Sequence, residues 1–276
     1  MKIYRYILSL TILLITNTSI SQELGIQLYS LRNQFKKDVP STLKLISEWG
    51  LANIEGGENT YGMEENEFIS LLDQYGLNVV SVGTNLKELS ENLQKAIDRA
   101  KAFGADYVMC PSIPHHGDTL SFDEISDATS ILNQSGKIIQ EHGLQLVYHP
   151  HGYEFVPHKN GTLFDYMAEN ALYFDFEMDV YWAVHGGADP ISLFEKYPDK
   201  FKLLHLKDMK KGVQGNYTGH ADKKTNVILG TGKIDMEEII HRAKKIGVKY
   251  MFIEDESSKV LEQIPQSLSY LRSLEP

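Results

Sequence analysis

The chain has 276 residues, 42% hydrophobic and 23% charged, with a formal net charge of −10. That balance suits a soluble globular protein with a sizeable core, and the negative charge argues against a nucleic-acid partner. A single cysteine, Cys110, excludes an internal disulfide and says little about compartment.

The N-terminus is unlike the rest. Lys2 and Arg5 precede an apolar run from Ile7 to Ile15, broken only by Ser9 and Thr11, and then the polar run Asn17-Thr18-Ser19-Ile20-Ser21. A basic start, a short apolar segment and small residues at 19 and 21 form the pattern of an export signal cut before Gln22. The apolar run is too short to span a bilayer permanently, so no stable membrane insertion is expected. Residues 1–21 are read as a signal peptide and residues 22–276 as one mature domain, periplasmic or secreted. No cysteine lies near the cut to carry a lipid anchor.

Along the mature chain, strands are predicted at about 24–29, 51–55, 77–83, 105–111, 144–149, 172–179, 201–207 and 249–254. Several are continuous apolar runs, as in strands buried on both faces. Helical stretches lie between them. Leu86, Leu89, Leu93, Ile97 and Ala100 mark one apolar stripe, and Val260, Ile264, Leu268 and Leu271 another. Pro265 predicts an irregular last helix. The stretch 208–233, rich in Gly, Lys and polar residues, reads as a long loop after strand seven.

One junction recurs: a large residue ending a helix, then Gly, then the small or aliphatic start of a strand. It occurs at Trp49-Gly50-Leu51, Tyr75-Gly76-Leu77, Phe103-Gly104-Ala105, His142-Gly143-Leu144 and Ile246-Gly247-Val248. Glycine is favoured just past a helix end because it enters the left-handed region without a Cβ penalty. Alternating α and β implies a parallel sheet, and eight units in about 250 residues imply closure into an α/β (β/α)8 TIM barrel. The rival doubly wound sheet would carry a Gly-rich turn after strand one. Here that strand runs into Gln27-Leu28-Tyr29-Ser30-Leu31-Arg32.

In such barrels catalytic groups come from the strand ends. Strand five ends in Val147-Tyr148-His149-Pro150-His151, strand six in Glu177-Met178-Asp179, strand seven in Leu204-His205-Leu206-Lys207-Asp208, and strand eight in Phe252-Ile253-Glu254-Asp255-Glu256. Period-two alternation puts 145, 147 and 149 on one face, and likewise 250, 252 and 254. Read alone, Asp179 is a turn cap, Glu254 a rim charge, and Lys207 with Asp208 a solvated pair. Read together, four ionisable groups closing four consecutive apolar runs are costly to bury unless a cation compensates them. His149, Asp179, His205 and Glu254 are therefore the expected ligands of one divalent metal ion, Mn, Co, Zn or Mg. His151 is an alternative strand-five ligand. A metal there could polarise a carbonyl, with Glu254, Lys207 or His151 as the catalytic groups that move a proton on carbon.

Candidate substrate-binding residues are Gln27 and Arg32 after strand one, Glu55 after strand two, His115 after strand four, and Trp182 and His185 after strand six; Glu55 and Glu58 are open to a catalytic or a substrate role, and His115 and His116 are either pocket or plain loop residues.

At these residues the sequence resembles the xylose-isomerase-like barrels that include sugar phosphate isomerases and epimerases, from about Leu24 to the end. The resemblance rests on Gly25-Ile26-Gln27-Leu28-Tyr29-Ser30-Leu31-Arg32, Tyr148-His149-Pro150-His151-Gly152-Tyr153-Glu154-Phe155, Met178-Asp179-Val180-Tyr181-Trp182 with Gly187-Ala188-Asp189-Pro190, and Leu204-His205-Leu206-Lys207-Asp208. It implies metal ligands from strands five to eight, carried by position onto His149, Asp179, His205 and Glu254. Three departures stand out. Ketose epimerases of this superfamily usually have Glu where this chain has His149. Many relatives have His where it has Ser81-Val82-Gly83-Thr84, and Gly-Glu-Gly where it has Gly230-Thr231-Gly232. A His-Pro-His strand five is more like the inosose dehydratase branch.

The resemblance thus implies a metal-dependent isomerase or epimerase of a free sugar, keto-sugar or glycoside. The alternative is a lyase or hydratase that eliminates next to a ketone in a keto-sugar or 3-keto-glycoside. A non-catalytic sugar-binding barrel ranks below both, and a nuclease of the apurinic-endonuclease type is disfavoured by charge and the signal segment. The expected partner is a small carbohydrate; homo-oligomerisation is left open.

Overall fold

The computed structural model describes residues 23–274. The export signal expected at 1–21 lies outside the described residues. Eight parallel strands close a barrel in chain order: β1 (Glu23–Gln27), β2 (Asn53–Glu55), β3 (Asn78–Gly83), β4 (Tyr107–Cys110), β5 (Gln145–Tyr148), β6 (Asp175–Asp179), β7 (Phe201–Leu206) and β8 (Tyr250–Ile253). β8 returns to β1 through Leu24↔Met251 and Ile26↔Ile253. The five junction glycines 50, 76, 104, 143 and 247 all have positive φ, between 66° and 86°. Among the described residues no helix is long and apolar enough to cross a membrane.

Two cores follow from the alternation. The outward faces of the strands pack under the helices in one large cluster. A smaller cluster of Val80, Met109, Val147, Leu203, Tyr250 and Phe252 forms a separate core. Two residues on from Val147, Leu203 and Phe252 stand His149, His205 and Glu254. The strand period therefore carries the inner face up from apolar filling to ionisable groups.

Several expectations need correction. β1 stops at Gln27, because its side-chain oxygen accepts from Tyr29 N at 2.7 Å and turns Leu28–Leu31 into a 3-10 helix. β6 begins at Asp175 rather than 172, because the N–H groups of Leu172 and Tyr173 donate to Asn133 Oδ1 at 2.8 and 3.0 Å. The stripe at 86–100 is two helices, Leu86–Glu91 and Leu93–Phe103, broken at Asn92 with φ −151°. Pro265 does not interrupt the last helix, Val260–Ser273. Pro265 and the residue four before it, Leu261, are both exposed, so the carbonyl left without a helical donor faces solvent.

The stretch 208–233 is organised rather than loose. Asp208–Met209 pairs antiparallel with Asn226–Val227, and a 3-10 turn spans Lys223–Thr225. Asp208 is not a solvated partner of Lys207. Its buried carboxylate accepts from the N–H groups of Met209, Gly230, Gly232 and Ile234 at 2.7–3.2 Å and clasps the loop shut.

Candidate metal centre and substrate pocket

Each of the four expected donors is placed by backbone that continues a strand. His149 N donates to Cys110 O at 3.0 Å, and Glu254 N to Leu206 O at 3.1 Å, extending the β5 and β8 ladders by one residue. Asp179 closes β6 and divides its carboxylate. Oδ1 accepts from the N–H groups of Tyr181 and Trp182 at 2.8 and 3.1 Å, capping the helix Val180–His185. Oδ2 is buried and has no hydrogen-bond partner. Asp179 is thus both the turn cap and a free donor.

The donor atoms converge. His149 Nε2 is 3.6 Å from Asp179 Oδ2. His205 Nδ1 is 4.0 Å from the same oxygen and 3.6 Å from Glu254 Oε2. One ligand atom from each of the four lies within 4.8 Å of the others. Ligands at about 2.0–2.2 Å from a common ion stand roughly 3–4 Å apart, which these spacings approach. His149 Nε2, Asp179 Oδ2 and His205 Nδ1 are buried without a hydrogen-bond partner. Such orphaned donors are costly unless something satisfies them, and two imidazoles with two carboxylates fit a divalent transition metal.

Beneath this layer, His205 Nε2 meets Glu55 Oε1 at 2.7 Å, and Gln27 Nε2 donates to the same oxygen at 2.9 Å. With Nε2–H held by the Glu55 carboxylate, Nδ1 is the nitrogen that would give up its proton to ligate a metal. This is the arrangement that orients a ligating histidine and raises its basicity. Glu177 lies on the same inner face, two residues before Asp179, fully buried and 3.3 Å from His205 Nε2. Burial and the Glu55 charge push its carboxyl up to about 7. Burial opposes protonation of His205, but the Glu177 and Glu55 carboxylates outweigh it and hold the ring well above the usual histidine range.

Lys207 is 1% exposed, and three carboxylates surround its ammonium: Glu256 Oε1 at 2.7 Å, Glu254 Oε2 at 3.0 Å and Asp179 Oδ2 at 3.9 Å. The Tyr181 and Trp182 rings lie 5.4 Å away. Burial works against the charge, but these carboxylates raise the lysine pKa above its ordinary value. Lys207 is a fixed cation, unsuited to accept a proton. His151 differs: burial, then His149 and Lys207, hold its imidazole well below the usual range, so it is neutral. Its ring packs on Trp182, His149 and Tyr153.

Glu154 buttresses this segment. Its carboxylate accepts from the Tyr148 hydroxyl and, at 2.8 Å, from His151 N. Complete burial raises it to about 7 from 4.5. A carboxyl whose folded pKa is raised contributes stability that is complete below the unfolded pKa and lost as pH rises through the folded one. The wild-type protein, measured with chelator present, should therefore lose up to about 3 kcal/mol relative to Glu154→Gln between pH 4.5 and 7. Parallel urea titrations of the two proteins would show it; a pH-independent difference would contradict the assignment.

A cavity of about 500 Å³ opens above the donors, within the range of small-molecule sites. His149, His151, His205, Lys207 and Glu254 line it, as do Gln27 and Trp182. Glu58 lines it too, whereas Arg32, Glu55, His115, His116 and His185 do not. Arg32 donates to the carbonyls of Tyr29 and Glu256, tying β1 to β8. Glu55 is buried under His205. His115 turns to Ile113 O at 2.8 Å. His185 stacks on Tyr181, behind the pocket wall. Sequence reading did not single out Glu177, Glu256, Tyr29, Tyr181, or His220 and Lys223 of the 208–233 loop. Alternation two places either side of Asp179 and Glu254 would have pointed to the first two.

The family model described as xylose isomerase-like TIM barrel matches residues 43–274. An inosose dehydratase of Clostridium perfringens is 28% identical over 224 residues, which is 70% of this chain and 75% of that protein. A solved structure of a sugar phosphate isomerase/epimerase from Parabacteroides distasonis aligns with TM-score 0.75 at 26% identity, covering 91% of this chain and 94% of that one. A protein named IolI, solved with a bound zinc atom, aligns with TM-score 0.70 at 13% identity over 92% of this chain and 96% of its own, a likeness of fold.

Proposed function

Because the chain belongs to the xylose isomerase-like TIM barrel family, we propose that it is a divalent-metal-dependent lyase. It would remove the proton beside a carbonyl of a neutral keto-sugar or keto-glycoside and expel an oxygen substituent from the next carbon. The observation that carries this reading is the set of orphaned donors, His149 Nε2, Asp179 Oδ2 and His205 Nδ1, beside the neutral imidazole of His151 and the immobilised Lys207. When bound, the metal supplies a Lewis acid for the substrate carbonyl. His151 takes the proton from the adjacent carbon. Lys207 holds Glu254 and Glu256 in place and adds a fixed positive charge to the pocket wall.

Elimination is preferred to epimerisation because strand five offers His149 rather than a second carboxylate, and because the inosose dehydratase is similar over most of its length. A neutral substrate is preferred because both pocket lysines are already ion-paired, Lys207 to Glu254 and Glu256, and Lys223 to Glu256 at 3.0 Å. The export signal read in residues 1–21 favours the same substrates, since sugar phosphates are mainly cytoplasmic. The second reading, isomerase or epimerase, draws support from the Parabacteroides structure.

Metal-loaded protein incubated with an inosose and with 3-keto-glucosides in D2O separates the two. Elimination gives an unsaturated ketone with loss of water or alcohol, and reversible proton abstraction puts deuterium on the carbon beside the carbonyl in the recovered substrate. A new isomer of the substrate, epimeric or with its carbonyl moved to the adjacent carbon, and with no oxygen substituent lost, would establish the second reading. No change with Mn, Co, Zn or Mg would sink both.

A further inference from the structure

The three carboxylates lining the cavity have different surroundings. Glu254 and Glu256 are ion-paired to lysines. Glu58 has no ion pair among the described residues and also lines the cavity. It follows β2 and rests on the end of β3, where its Oε2 accepts from Gly83 N at 3.3 Å. In the barrel order, β2 and β3 lie across the axis from β6 and β7, which carry Asp179 and His205.

The backbone is built around this placement. Gly56 and Gly57 have φ +153° and +98°, conformations other residues rarely adopt. Together they bend the chain after β2 and bring Glu58 back over β3. Gly83 leaves the space: a Cβ there would stand 2.7 Å from Glu58 Oε2. Glu58 as a residue is exposed at the rim, but its carboxyl is tucked against Gly83, and that desolvation raises its pKa above the ordinary value.

Resting on the lyase reading above, we infer that Glu58 is the catalytic acid that protonates the departing oxygen from the wall opposite the metal donors. The C–H bond beside the carbonyl breaks and its proton goes to His151. The electron pair becomes the new C=C bond. The C–O bond to the leaving group breaks with its pair on oxygen, and the Glu58 carboxyl proton goes to that oxygen. Water or alcohol departs. Glu58 is left as carboxylate and His151 as imidazolium, and solvent returns the proton between them.

The test compares Glu58→Gln with wild type on two 3-keto-glucosides that differ only in leaving group, methyl and 4-nitrophenyl, with deuterium exchange followed in parallel. Methanol needs a proton to leave, whereas 4-nitrophenolate does not. E58Q should lose about 10²–10⁴-fold on the methyl glycoside, the usual worth of a positioned acid, and less than about tenfold on the 4-nitrophenyl one, with exchange retained. Equal losses on both, or no loss on either, would overturn the assignment. Should wild type eliminate neither these glycosides nor an inosose, the lyase reading itself fails, a result distinct from failure of Glu58.

Discussion

His205→Ala is expected to purify without stoichiometric metal and to turn over at least about 10³-fold more slowly. The figure follows from a bound Lewis acid supplying several kcal/mol, at about 1.4 kcal/mol per tenfold in rate. His205 sits at the centre of the site. Its Nδ1 faces Asp179 and Glu254, and its Nε2 meets Glu55. The alanine removes a donor and also leaves Glu55 and Glu177 without their imidazole. Glu55→Gln keeps the shape and an oxygen acceptor but loses the charge that sets the ring, so metal affinity should weaken by about 10–100-fold. Metal analysis after dialysis, with titration back, reads both. One tightly held ion per chain in H205A would show that His205 is no ligand.

Lys207→Met should destabilise the metal-free protein by about 3–5 kcal/mol, the usual cost of removing one partner from a buried charged cluster. The methionine matches the lysine stem but leaves Glu254 and Asp179 crowded without their cation and Glu256 with Lys223 alone. The loss should depend on metal. An ion held by Asp179 and Glu254 offsets part of the repulsion, and binding at 100 times Kd stabilises the folded state by about 2.7 kcal/mol. Urea unfolding of wild type and K207M, each with chelator and with saturating Mn, gives the four values needed. K207M as stable as wild type in chelator would mean that Lys207 is not compensating these carboxylates.

The fold was legible because its signals are local. Gly50, Gly76, Gly104, Gly143 and Gly247 each end a helix for a steric reason that reads directly from sequence. The donor layer was legible because His149, His205 and Glu254 continue the inward period of Val147, Leu203 and Phe252. Glu177 is less legible because it lies inside β6 rather than at its end, although the same alternation places it inward. The expected substrate contacts at Arg32, Glu55, His115 and His185 fared differently, since nearness to a strand end does not say where a side chain turns. Glu55 turns inward beneath His205, and His185 turns behind Tyr181. Those outcomes depend on partners more than 30 residues away or on helix orientation, which short-range spacing does not encode. The loop at 208–233 hid its order for a similar reason: a single carboxylate, Asp208, collects four N–H groups spread over 26 residues.

The central claim is a metal centre built by β5 to β8, and anomalous diffraction from crystals grown with Mn or Zn tests it most directly. A single strong peak about 2.0–2.2 Å from donor atoms of His149, Asp179, His205 and Glu254 is predicted. A peak lying instead between Glu55 and Glu177 beneath His205, or no peak at saturating metal, would contradict it.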